Sequence, residues 1–324
     1  MKRSHLLTCA LLGSLLFLAY SCSKTPLEGE ILSVEEIRTL FADPPSEFRS
    51  APLWDWNEQI TEEGIDFQMK EFKKAGIGGV FVHPRPGLLT EYLSDDWFRL
   101  FDYTLQKGKE LDMKIWIYDE NSYPSGFAGG HVPAEMPDSY KHGTGLILHV
   151  LESVDELPSD NLEVVLKRSA DEFVDITNSI GSEKGKRGSY YFFEKIYPEK
   201  SPWYGGFSYV DLLYKGVSEK FLELTMTRGY EKYRADFGNT LSGIFTDEPN
   251  LESAMSGGHV IRWTPDLWDA FQERWGYDLK ITLPSLLEET GNWKKVRHDY
   301  YELILELFID RWAKPWSKYC DENN

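Results

Sequence analysis

Two places in this 324-residue chain set a pair of adjacent carboxylates directly after a short apolar run. Ile244-Phe245-Thr246 leads into Asp247-Glu248 and is stopped by Pro249-Asn250. Proline ends such a run because it cannot donate to a sheet ladder. Earlier, Lys114-Ile115-Trp116-Ile117-Tyr118 leads into Asp119-Glu120 and then into Asn121-Ser122-Tyr123-Pro124-Ser125-Gly126-Phe127-Ala128-Gly129-Gly130. Glycines there allow backbone to approach a ligand closely. Neighbouring side chains on a strand point to opposite faces, so within each pair one carboxyl is free for chemistry while the other braces it. The chemistry available to such groups is proton transfer, with metal binding as the alternative use. For a single pair, capping of the following turn explains the acids equally well; the repetition of the arrangement argues for function. Competing motifs are absent: there is no G-x-S-x-G, no H-E-x-x-H and no phosphate-binding glycine loop.

The elements that must position these acids alternate between strand and helix. Pro52 to Asn57 reads as a short aromatic strand, and Thr61 to Ala75 as a helix capped by Thr61, with Glu62 and Glu63 in its first turn and Gly76 after its end. Gly79 to His83 is a second strand, closed by Pro84-Arg85-Pro86-Gly87. Ser94-Asp95-Asp96 opens a helix to about Leu111, and Lys114 to Tyr118 is the third strand. The strands are nearly continuous apolar runs, as expected where both faces are covered. Strands joined through helices imply right-handed crossovers and a parallel sheet, and the spacing fits a (β/α) barrel, whose active site lies at the carboxyl ends of its strands.

From about Tyr140 to Pro202 the rhythm breaks. Runs at 145–151, 162–167, 172–177 and 189–197 are rich in β-branched and aromatic residues and separated by polar turns, which predicts an antiparallel β insertion on the third strand-to-helix loop. A helix over 217–237 and a fourth strand over 241–246 resume the barrel pattern. Beyond Asn250 the spacing predicts helices only, at 265–275, 283–289 and 293–319, with Pro315 kinking or ending the last. Eight strands close a barrel of this type. The expected fold class is therefore α/β, the first half of a (β/α)8 barrel with an antiparallel insertion after its third strand. The corresponding segments are 1–21 leader, 22–50 tether and lead-in, 51–139 first barrel part, 140–202 insertion, and 203–324 barrel continuation with C-terminal helices.

Lys2-Arg3, the apolar run from Leu6 to Leu18 and then Ala19-Tyr20-Ser21-Cys22 read as an export signal too short to span a bilayer comfortably. The cysteine resembles that of a bacterial lipobox, which implies cleavage before Cys22, lipidation there, and a membrane-anchored protein of the cell envelope; an ordinary signal peptide is the alternative. With Cys9 removed, Cys320 alone remains beside the anchor, and no disulfide framework or cysteine metal site can form. Loss of Lys2 and Arg3 takes the formal charge from −18 to −20. Such acidity repels phosphate backbones and excludes nucleic acid as a natural partner.

Taken in order, Trp54-Asp55-Trp56-Asn57, Gly76-Ile77-Gly78-Gly79-Val80, Tyr92-Leu93-Ser94 with Trp97, Tyr118-Asp119-Glu120, Pro124-Ser125-Gly126 with Ala128-Gly129-Gly130, and Phe245-Thr246-Asp247-Glu248-Pro249 resemble the bacterial α-L-rhamnosidases of glycoside hydrolase family 106. No single piece is specific, but the ordered set is. The resemblance implies a (β/α)8 catalytic domain, hydrolysis with inversion, an oligo- or polysaccharide substrate and a calcium ion at the site. It departs from the family in that members continue through the rest of the barrel and into β domains. Glycosidases need two carboxyl groups, one protonating the leaving oxygen and one activating water or attacking the sugar. Glu248 and Glu120 are the candidates, with Asp119 and Asp247 as orienting or metal-binding partners. Trp54, Trp56 and Trp116 can form a stacking floor for a sugar ring or belong to the core. His83, Arg85, Asn250 and His131 are candidates for contacts to sugar hydroxyls. Two readings of other kinds remain open: a different sugar specificity on the same scaffold, and an inactive truncated lipoprotein that only binds carbohydrate.

Overall fold

The structure is a computed structural model that describes residues 32–157, 160–170, 172–251 and 260–323. The leader and Cys22 lie outside the described residues, among which no helix is long and apolar enough to cross a membrane. The chain divides into two compact units, Met1–Pro45 and Ser46–Asn324. In the first, helix α1 (Val34–Ala42) lies within the stretch 22–50 read as tether and lead-in. A capping box starts it: the Ser33 hydroxyl accepts from the Glu36 N–H and the Glu36 carboxylate accepts from the Ser33 N–H.

In the second unit the chain runs through β1 (Leu53–Trp56), α2 (Glu62–Lys74), β2 (Gly79–Pro84), α3 (Asp95–Leu111) and β3 (Lys114–Tyr118). The Thr61 and Ser94 hydroxyls accept from the N–H groups of Gly64 and Trp97, so each helix begins where its cap predicts. After the glycine-rich loop come α4 (His131–Glu135), β4 (Gly145–Leu151), β5 (Leu162–Ser169), β6 (Glu172–Asp175) and β7 (Ser189–Ile196). Then follow α5 (Val217–Leu222), β8 (Leu241–Phe245), β9 (Val260–Arg262), α6 (Leu267–Trp275), α7 (Pro284–Leu287), α8 (Trp293–Phe308) and α9 (Lys314–Asn323). The architecture is mixed α/β. One sheet has the order β1-β2-β3-β8 with every pair parallel, and the other has the order β6-β5-β7-β4-β9 with every pair antiparallel.

The parallel sheet has unlike faces. Trp54, Trp56, Val80, Val82, Ile115 and Ile117 are buried in one cluster with Ile65 and Met69 of α2 and Trp97, Leu100 and Phe101 of α3. Each such side chain contributes about 1.5–3 kcal/mol on burial, which fixes the register of the strands against the helices. The opposite face carries Leu53, 48% exposed, with half-buried Phe81 and Trp116, whose rings stack at 4.9 Å. The antiparallel sheet packs Leu146, Val164, Leu166, Tyr191 and Phe193 against α6 and α8, and a smaller cluster of Val165, Tyr190 and Phe192 covers its other face.

Three expectations are corrected. The helix foreseen over 217–237 is α5 followed by a π turn at Glu223–Thr227 and a 3-10 helix at Tyr230–Asp236. Between them Gly229 lies so close to the Phe98 ring that a Cβ there would sit 2.6 Å from it, and the backbone bends to accept that ring. Of the two outcomes expected at Pro315, the ending does not occur and an interruption does: the wide π turn at Ile309–Ala313 precedes it and takes up the misfit of a residue without an N–H, and the chain continues as α9. Finally, a strand does follow Asn250, but β9 pairs with β4 in the antiparallel sheet instead of extending the parallel one.

Candidate active site

Parallel pairing brings the carboxyl ends of β1, β2, β3 and β8 to one edge of the sheet. Asp55 lies opposite His83, and Tyr118 opposite Phe245. The His83 and Tyr118 rings stack at 3.6 Å, and Tyr118 in turn stacks on Phe245 at 5.6 Å. The Tyr118 hydroxyl donates to Asp247 Oδ2. Asp55 Oδ1 stands 3.3 Å from His83 Nδ1, with the Asp55 side chain half exposed and that of His83 buried. Burial pushes His83 down to about 4, and Arg85 adds to the effect, against the attraction of Asp55 and Asp247. The imidazole is therefore neutral near pH 7, and neither ring nitrogen has a well-aligned hydrogen bond.

Ser125 ties the two acid pairs together. Its hydroxyl donates to Asp119 Oδ1 at 2.6 Å and accepts from the Asp247 N–H at 2.8 Å, while its own N–H donates to the Asp247 carbonyl at 2.7 Å. Tyr209 extends the link, donating to the Ser125 carbonyl at 2.7 Å and accepting from the Asn250 N–H at 3.2 Å. The acids after β3 and those after β8 thus belong to one hydrogen-bonded assembly. Glu248 projects from it into solvent, its backbone in the left-handed region at φ +46°. A non-glycine residue adopts that conformation only where its surroundings impose it; here Asp247 is held on one side and Pro249 follows on the other.

Glu120 departs from its expected role. It is fully buried, and both its oxygens are enclosed by the loop that follows it. Oε1 accepts from the N–H groups of Asn121 (2.8 Å) and Gly129 (2.5 Å), and Oε2 from those of Gly126 (3.1 Å), Phe127 (2.9 Å) and Ala128 (2.7 Å). Positive φ at Ser122, Gly126, Ala128, Gly129 and Gly130 turns these groups inward, forming an anion-binding nest. At Gly126, where φ is +141°, a Cβ would come within 2.8 Å of Leu212. Burial and the neighbouring Asp119 push the Glu120 carboxyl up to about 8, and the N–H groups pull it back. The count of donors decides the matter: a carboxylate offers about four lone-pair positions, and five N–H groups occupy them. Glu120 is accordingly a carboxylate that shapes the loop, out of reach of any substrate, and not the second catalytic carboxyl.

Asp119 is also fully buried, and burial pushes it up to about 7 against the Ser125 and Thr246 hydroxyls. With far fewer donors than Glu120, it takes up a proton first. Of the two possible calcium ligands, Asp119 keeps its buried Oδ2 without a well-aligned hydrogen bond. Asp119 Oδ1 serves Ser125, Asp247 Oδ2 serves Tyr118, and among the described residues no three His, Cys, Asp or Glu side chains gather as a metal site.

Trp54 and Trp56 are not a sugar platform. Both are buried on the helix side, edge to face with each other at 5.6 Å, and Trp56 meets Trp97 at 5.2 Å. Trp116 sits on the opposite, partly open face. His83 is buried, beside the half-exposed Asp55. Arg85 is half-buried over the Tyr123 ring at 5.3 Å, and His131 stands at the start of α4, beyond the glycine-rich loop. Sequence reasoning passed over Asp55, Tyr118 and Ser125. A charged residue between two tryptophans, on the alternate face of β1, was the signal for Asp55.

No protein-family profile matches the chain, and no curated protein matches it. Among solved structures, a rhamnosidase from Novosphingobium sp. PP1Y is similar, with a TM-score of 0.53 and 13% identity over 89% of this chain and 46% of that one. The chain spans about half the length of that neighbour. At this identity the likeness is one of fold, and that fold is one used by a glycoside hydrolase.

Proposed function

We propose that this chain is part of an exported glycoside hydrolase similar to the α-L-rhamnosidases of family 106. In this reading the parallel sheet is the first half of a (β/α)8 barrel, Cys22 carries the lipid that anchors it in the cell envelope, and the substrate is a terminal rhamnosyl linkage. The observation that carries the reading is the joining of the two strand-end acid pairs through Ser125 and Tyr118, which leaves Glu248 exposed on their common edge. Glu248 exchanges the proton at the glycosidic oxygen or at the attacking water. With Glu120 enclosed, the second carboxylate comes from the same edge: Asp247, held by the Tyr118 hydroxyl, or Asp55, half exposed beside neutral His83. Arg85 and Asn250 flank this edge and supply donors to sugar hydroxyls.

The enclosure of Glu120 also favours a second reading, in which the chain binds a saccharide without turning it over. Release of phenol from a panel of aryl glycosides separates the two. Turnover of the aryl α-L-rhamnoside alone supports the specificity proposed, and turnover of another aryl glycoside keeps the hydrolase with a different sugar. Saturable rhamnoside binding without release of phenol favours the binding protein and rejects the hydrolase for this chain.

A further inference from the structure

Helix α1 (Val34–Ala42) has no buried residue. Val34 is 67% exposed, Ile37 52% and Phe41 88%. At about 100° per residue these three side chains fall within about 60° of one another, and half-buried Leu40 widens the stripe on one side. Glu35, Glu36, Arg38 and Thr39 take up the rest of the circumference, where Glu35 and Arg38 pair at 3.6 Å. The capping box at Ser33 and Glu36 fixes the start of the helix and with it the alignment of the stripe. An apolar stripe held in water on a chain of net charge −18 is a surface for a partner.

Length and charge select the partner. A helix of 9 residues is about 14 Å long, and a stripe of three side chains covers far less than the ~800 Å2 that each side of a stable protein complex buries. A second copy of α1 therefore offers too little. A lipid surface needs no such area, because an amphipathic helix lies in its plane with the apolar side sunk at the acyl boundary. The 11 residues from Ser23 to Ser33 separate α1 from Cys22. Fully extended they reach about 40 Å, and as a flexible coil about 20 Å. A lipid on Cys22 thus holds α1 beside the bilayer at an effective concentration near the millimolar range. With Glu35 and Glu36 against Arg38 on its polar side, α1 gains nothing from anionic headgroups, and its binding rests on apolar burial in a zwitterionic surface.

We propose that α1 is a second membrane contact, whose face of Val34, Ile37 and Phe41 lies in a zwitterionic bilayer surface beside the anchored Cys22 and holds the root of the chain there. This rests on the reading of Cys22 as the lipid anchor. The test takes the mature chain, residues 22–324, with Cys22→Ser so that no lipid masks the helix, and floats it with phosphatidylcholine vesicles at about 10 mM lipid, the range set by the tether. The expected result is a vesicle-bound fraction that falls tenfold or more when Ile37→Glu and Phe41→Glu are added together. Thr39→Glu, on the polar side, should stay within twofold, and raising the salt to about 0.5 M should change nothing. All three positions are exposed, and Ile37→Ala with Phe41→Ala, which favours the helix, repeats the loss should the glutamates unwind it. No flotation of the Cys22→Ser chain, flotation unchanged in the double variants, equal losses in Thr39→Glu, or binding abolished by salt overturns the proposal. So does a dimer in sedimentation that the double variant splits, which would give the stripe to a second copy. The anchor is read separately, from the mass of the amino-terminal peptide of the exported chain: an unmodified Cys22 defeats the anchoring reading, and flotation still decides α1.

Discussion

Replacing Glu120 by Gln tests whether five peptide N–H groups hold a carboxylate or whether burial has protonated it. An amide keeps one oxygen and turns the other position into a donor. If the amide nitrogen takes the Oε1 position it faces the N–H groups of Asn121 and Gly129, and in the Oε2 position those of Gly126, Phe127 and Ala128. At least two buried N–H groups then lose their acceptor, at ~1–3 kcal/mol each. Removal of the buried charge returns part of this, because burial pushes the carboxyl up to about 8. The net expected loss is about 2–4 kcal/mol, a large share of the ~5–15 kcal/mol of a typical domain. Urea unfolding followed by tryptophan fluorescence at pH 7 reads it directly, since Trp56 and Trp97 are fully buried. A variant within about 0.5 kcal/mol of wild type would show that position 120 already carries a proton, and the enclosed-anion account of the loop would be wrong.

Asp119 and His83 give opposite pH signatures. Asp119 is pushed up to about 7 from 3.8, so between those values the folded state holds a proton that the unfolded state lacks, and stability falls as pH rises, by at most about 4 kcal/mol. Asp119→Asn should gain on wild type as urea midpoints are taken from pH 4.5 to pH 8; an advantage that shrinks over that range would refute this. His83 is pushed down to about 4 from 6.5, so the unfolded state binds the proton first and stability is lost as pH falls through that window, by at most about 3 kcal/mol. His83→Asn should remove that acid-side loss, and an unaltered slope between pH 6.5 and 4 would count against a neutral buried imidazole. Trp56→Ala should cost about 3–5 kcal/mol and Trp116→Ala clearly less, a ranking that thermal unfolding would reverse if Trp116 were the core residue.

Strand and helix positions were legible where local chemistry is decisive. Thr61 and Ser94 mark the starts of α2 and α3, and the unbroken apolar and aromatic run 115–118 marks β3. The period of two in β1 separates Asp55 from both tryptophans, but which face meets the helices is set by Ile65 and Trp97, far along the chain. The fate of Glu120 was hidden for another reason. Its enclosure depends on left-handed backbone at Ser122 and Ala128, residue types that rarely adopt it and carry no local signal for it. Strand β9 escaped notice because three residues are too few to show a period.

The account stands on Glu248 as the exposed reacting carboxyl of the joined acid edge, and kcat/KM of Glu248→Gln on an aryl α-L-rhamnoside probes it most directly. The substitution touches an exposed side chain, so thermal unfolding should be unchanged while turnover drops by about 10²–10⁴. Turnover at the wild-type level in a folded Glu248→Gln protein would contradict it.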